Sequence, residues 1–114
     1  RQRRELNESF KNLFRKIDVM VTPTVPIAAT KIGQTTTTIG DTQENVRLAI
    51  TRFVRVFNLT GLPALSVPCG INSMGLPIGL QLIGRLFGEA NLLEVAYAYE
   101  QVTDWHKKRP IAVE

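Results

Sequence analysis

The residues able to act as nucleophile or base in this 114-residue sequence are few: Ser9, Ser66, Ser73, the single cysteine Cys69 and the single histidine His106. Nucleophilic catalysis needs a nucleophile, a base within reach and donors for the developing oxyanion. Ser9 falls on a helix-like stretch between charged and polar neighbours, so an exposed hydroxyl is expected there. Ser66 alternates within a strand-like run, where a hydrogen bond in the core is its expected role. Ser73 sits among turn formers, where serine bonds to local backbone. None of the three stands in a G-x-S-x-G elbow. Cys69, between Pro68 and Gly70 at a strand end, reads as a small buried thiol. His106, beside Trp105 and Lys107 at the end of a helix, suits the helix dipole without any catalytic task. One Cys and one His do not make a metal-ligand spacing, and no phosphate-cradling glycine motif occurs. No catalytic residue, metal or cofactor is expected from the chain alone.

The elements that would carry these residues are legible in the apolar pattern. Leu6, Phe10, Leu13, Phe14 and Ile17 form one helical stripe. Asp18–Thr22 reads as a strand stopped by Pro23 and Pro26. The tract from Thr24 to Asp41, with threonines at 35 to 38, reads as a long surface loop. Asp41 and Glu44 have the spacing of a capping box. It would open a helix over residues 43–57, with Val46, Ala49, Ile50, Phe53, Val54 and Phe57 inward and Leu48, Thr51, Arg52 and Arg55 outward. No charge occurs between Arg55 and Arg85, yet five glycines and three prolines break that run. Buried strands joined by turns fit it better than a membrane helix. Strands are expected at 64–68 and 78–83, linked by the turn formers of Gly70–Gly75, and a last helix starts near Glu89. The expected fold class is α/β. A βαβ unit of strands 18–22 and 64–68 around helix 43–57, plus one antiparallel strand, gives a small mixed sheet of about three strands with about three helices.

The net charge of +4 and the two basic clusters, residues 1–16 and Lys107–Arg109, bear on partners. Both clusters lie on or beside helix-like segments, where a solvated charged face is the ordinary outcome, and no nucleic-acid-binding motif accompanies them. Neither nucleic acid nor membrane is expected as a partner. A lone cysteine fits a reducing, cytoplasmic setting. The first residue is Arg1 and no initiator Met precedes it, which fits an excised segment.

The run Phe57–Gly70, continuing through Gly75-Leu76-Pro77-Ile78-Gly79-Leu80-Gln81-Leu82-Ile83-Gly84 and then Phe87-Gly88-Glu89-Ala90-Asn91-Leu92-Leu93 to Tyr99-Glu100, resembles the C-terminal part of the amidase signature family. Asp18-Val19-Met20-Val21-Thr22-Pro23-Thr24 resembles that family's Asp-x-x-x-Thr-Pro-Thr strand, so the likeness covers most of residues 10–105 in order. The resemblance implies a C-terminal segment, residues 1–114, of an amidase signature domain. Such enzymes hydrolyse amides, or release ammonia from glutamine or asparagine for mischarged tRNA, through a Ser–cis-Ser–Lys triad. That triad lies upstream of the matched region. No Gly-Ser-Ser occurs here and none of the five lysines is assignable as base. The resemblance therefore implies an inactive isolated segment of an amidase whose substrate is a small-molecule amide. It also places Asn58, Gly61, Pro63, Pro68, Gly70, Gly75, Pro77 and Gly79 in the family's structural motif, and Leu48, Thr51 and Arg55 on a helix face lining the substrate pocket. In the A subunits of amidotransferases an acidic residue near Thr51 helps hold the amino-acid substrate, so Thr51 argues against a glutaminase. Proline is common in relatives where Val56 and Leu86 stand. The alternative from another class is a non-catalytic interaction module with basic termini. Exposed edges of a truncated sheet imply self-association.

Overall fold

The computed structural model describes residues 1–111. In chain order it contains α1 (Gln2–Leu13), β1 (Met20–Pro23), β2 (Thr36–Ile39), β3 (Thr42–Asn45), α2 (Val46–Ile50), α3 (Arg55–Thr60), β4 (Ala64–Ile71), β5 (Pro77–Ile83) and α4 (Glu89–Gln101). A 3-10 turn at Trp105–Lys107 follows and packs on β4. The architecture is mixed α/β, with a three-stranded sheet between helices and a separate two-stranded hairpin.

The sheet order is β1-β5-β4, and both pairings are antiparallel. The two outer strands thus run in the same direction, but they do not pair. β5 occupies the place between them. The turn explains its return: Asn72 Oδ1 accepts from the backbone N–H of Met74 (3.0 Å) and Leu76 (2.9 Å), and Gly75 takes φ +81°. A residue with a Cβ is strained at that φ, whereas glycine is not. The tight turn sets β5 beside β4, and β1 pairs with the other edge of β5.

Cross-strand register sorts the sheet into two faces. Leu65, Val67, Leu80 and Leu82 meet Leu92, Val95, Ala96 and Tyr99 of α4. On the opposite face the fully buried Ile83 packs with Phe14 and Phe57, joined by Phe10, Met20 and Leu62, under α1 and α3. Phe10 and Phe57 meet edge to face with centroids 5.8 Å apart, a favoured aromatic geometry.

Three expectations are corrected. The tract taken as a loop contains the β2–β3 hairpin, because β-branched threonines suit a pleated strand and Gly40 (φ +60°) with Asp41 makes the two-residue turn. Asp41 consequently caps no helix. The cap of α2 is Asn45, whose side chain accepts from Leu48 N–H at 3.3 Å. The helix expected over 43–57 begins at Val46 and is interrupted at 51–54, where bonds such as Val54 N–H to Thr51 C=O are of the tighter i→i+3 kind.

Candidate functional site

The sheet face under α3 changes character along the strands. At one end it is apolar, around Ile83. Two residues further on, register places Thr22, Gln81 and Ser66 side by side across β1, β5 and β4. Gln81 is 4% exposed and spends both amide hydrogens, one on Thr22 Oγ1 and one on Phe53 C=O, each at 2.9 Å. The second bond ties the sheet to the interruption between α2 and α3. A buried amide left without partners would be costly, so this pair of bonds fixes the local geometry.

Beside Gln81, the hydroxyls of Thr24 and Ser66 are 2.6 Å apart. They come this close because Gly79 lies beneath them. A Cβ there would stand 2.9 Å from Thr24 Oγ1 and 3.0 Å from Ser66 Oγ. Thr24, Ser66 and Gln81, with Val54, Phe57, Asn58, Leu62, Ala64 and Leu65, line a groove of about 330 Å3. It holds hydroxyls and amides but neither a base nor a charged group. The groove can offer hydrogen bonds and an apolar wall; it cannot generate a nucleophile.

The pocket residues expected from the sequence lie along α2, the interruption and the start of α3. Leu48 is 57% exposed on α2. One turn on, Thr51 Oγ1 donates to Arg47 C=O at 2.8 Å and accepts from Arg55 Nη2 at 2.6 Å. The backbone bond from Arg55 N–H to Thr51 C=O (3.1 Å) keeps helical spacing across the interruption, so Leu48, Thr51 and Arg55 share one outward face. The groove is lined by none of the three. Arg52, on the same segment, pairs instead with Glu44.

The motif residues take structural places. Asn58 borders the groove, and Gly61 (φ +74°) closes α3 by donating to Phe57 C=O. Pro63 C=O receives Gly84 N–H at 3.0 Å. The register shift of β4 falls between Pro68 and Gly70, Gly75 makes the hairpin turn, Pro77 opens β5 and Gly79 admits the hydroxyl pair. Ser66, expected in the core, keeps its hydrogen bond but is exposed on the groove side. Thr22, Thr24 and Gln81 were not singled out as site residues by their sequence context. The signal that could have found Gln81 is hairpin register, which sets it opposite Ser66.

Cys69 is half-buried at the bulge of β4. His106 Nδ1 is buried with no hydrogen-bond partner, and no hydrogen bond links it to Cys69 among the described residues. Near it, Lys107 donates to Asp104 and holds that carboxyl below its ordinary value; neither residue lines the groove. A wider hollow of about 630 Å3 lies between α1 and the β5–α4 loop, with Lys11, Arg15 and Arg85 on its rim and Phe14 and Leu62 on its floor. Among the described residues no cluster of three or more metal-ligating side chains occurs, and no helix is long and apolar enough to cross a membrane.

Comparison with known proteins follows the same outline. The chain is 46% identical over 106 residues to the glutamyl-tRNA(Gln) amidotransferase A subunit of Nostoc sp., a match covering 92% of this chain and 21% of that protein. It superposes on 6-aminohexanoate cyclic dimer hydrolase with a TM-score of 0.81 at 29% identity, covering 95% of this chain and 24% of the enzyme. On the glutamyl-tRNA(Gln) amidotransferase A subunit of Thermotoga maritima the TM-score is 0.75 at 31% identity, covering 95% and 23%. The chain thus spans about a fifth of the length of the curated relatives it matches. The Amidase family model matches residues 1–93. With that match and the shared fold, the chain belongs to the amidase signature family.

Proposed function

We propose that this chain works as the C-terminal segment of an amidase that hydrolyses a carboxamide to carboxylate and ammonia. The observation that carries the reading is the family match over residues 1–93 in a chain without a serine–lysine constellation of its own. The Ser–cis-Ser–Lys machinery then belongs to the part of the relatives this chain does not span, and residues 1–114 alone turn over no amide. The segment supplies scaffold and one pocket wall. Gln81 locks the sheet to the α2–α3 corner, and that corner holds Leu48, Thr51 and Arg55 against the bound amide. A small-molecule amide is the expected partner, no cofactor takes part, and the cytoplasm is the proposed location.

A second reading is favoured by the 46% identity to the amidotransferase relative: the same hydrolysis used on glutamine to supply ammonia for tRNA-bound glutamate. Thr51 weighs against it, since this pocket wall then lacks an acidic group for the substrate's ammonium. The two readings separate in one assay. Ammonia release by the full-length protein carrying this chain is measured on aliphatic amides, aromatic amides and glutamine. The amidase reading expects a simple amide to be the best substrate. A strict preference for glutamine supports the second reading, and no release from any of them contradicts both.

A further inference from the structure

We infer that Arg55 makes the enzyme select amides that carry a carboxylate and no ammonium. The inference rests on the proposal that Leu48, Thr51 and Arg55 face the substrate. Arg55 is exposed, and among the described residues no carboxylate lies within ion-pair distance of it, whereas Arg52 has Glu44 and Arg85 has Asp18. Its guanidinium is nevertheless held. The Thr51 hydroxyl spends its one hydrogen on Arg47 C=O (2.8 Å), which leaves a lone pair turned to Arg55 Nη2 (2.6 Å). Such a bond restrains the planar group and, among the described residues, leaves four of its five N–H donors unused. A pre-oriented guanidinium with an uncompensated charge fits the two oxygens of a carboxylate, and the ordering cost is already met in the free protein.

The neighbours narrow the class further. Leu48, one turn before Thr51 and 57% exposed, offers apolar contact to a short methylene spacer. Among the described residues this face offers no free acidic group to an ammonium, because the nearby Glu44 is taken by Arg52. The substrate class is therefore the monoamide of a dicarboxylic acid, with the amide at one end and the carboxylate at the other.

The test uses the full-length enzyme and three probes: succinamate, butyramide, which lacks the carboxylate, and asparagine, which adds an ammonium. Succinamate should exceed both others at least tenfold in kcat/KM. Arg55→Gln should lower the succinamate-to-butyramide ratio at least tenfold, mainly through KM, and Arg55→Lys should recover part of it. Thr51→Val, which removes the hydroxyl holding the guanidinium, should lower the same ratio by a smaller factor. Arg3→Gln, an equal change of charge on α1, should leave the ratio alone. An unchanged ratio in Arg55→Gln overturns the inference. If Leu48→Trp then still shifts KM for all three amides, the pocket wall stands without the charge selection. If neither variant shifts any KM, the pocket wall falls as well.

Discussion

Replacing Gln81 by methionine removes both donors that join the sheet to the α2–α3 corner while keeping a side chain of similar length. The two bonds, each 2.9 Å, end on Thr22 Oγ1 and Phe53 C=O, and Gln81 is only 4% exposed. A net hydrogen bond contributes about 1 kcal/mol, and an acceptor left without a partner away from water adds to the loss. The methionine regains some apolar burial. The expected destabilisation is about 2–3 kcal/mol, which at a urea m-value of about 1.5 kcal/mol/M lowers the midpoint by roughly 1.3–2 M. Thr22→Val removes one acceptor only and should cost about half as much. The assay is urea unfolding followed by circular dichroism, with the double variant closing a cycle. Because both single changes break the same bond, the combined loss should fall short of their sum. A Gln81→Met midpoint within about 0.3 M of the parent, at an unchanged m-value, would refute the idea that this amide fastens the corner to the sheet.

Other consequences can be checked separately. Gly79→Ala places a methyl group 2.9 Å from Thr24 Oγ1 and 3.0 Å from Ser66 Oγ, so it should break that hydroxyl pair and cost about 1 kcal/mol in the same urea titration; a neutral change would contradict it. Phe87 has φ +61° and is 86% exposed. Phe87→Asn should therefore stabilise by about 0.5–1 kcal/mol in thermal unfolding, since asparagine tolerates the left-handed region and little burial is lost. The outer edge of β4 is unpaired among the described residues, and Ile71, Met74 and Ile78 are exposed nearby. Sedimentation of the 114-residue chain across a concentration series should show association, and a strict monomer at high micromolar concentration would contradict this.

Local chemistry made much of the fold legible. The uncharged run from Val56 to Gly84 became β4 and β5, and Glu89 does open α4. The same reasoning failed where local and tertiary signals diverged. Four threonines look like loop on hydropathy, yet their branching favours strand, and Gly40-Asp41 followed by Thr42 was the available turn signal. The apolar period from Val46 to Phe57 runs on through the interruption at 51–54. What accompanies the break is a bond from Gln81, 28 residues away, which no local window contains. Strand order was hidden for a similar reason, because β1 and β4 are both apolar enough to pair and the tight Asn72–Gly75 turn instead sets β5 beside β4, between the two. The polar row was missed because Thr24 and Ser66 are 42 positions apart, and Thr22 and Gln81 are 59 apart. The shared face of Leu48, Thr51 and Arg55 was legible, since it depends on helical spacing that survives the break.

Whether this chain is a non-catalytic part of an amidase is decided by ammonia release measured side by side on the 114-residue chain and on the full-length protein that carries it. No turnover of any carboxamide is expected from the chain alone at high concentration. The full-length protein should turn over an amide, an activity lost when the proposed nucleophilic serine upstream is replaced by alanine and kept in Cys69→Ala. Turnover by the isolated chain that disappears with Cys69→Ala would contradict this assignment, and so would a full-length protein that releases no ammonia from any amide.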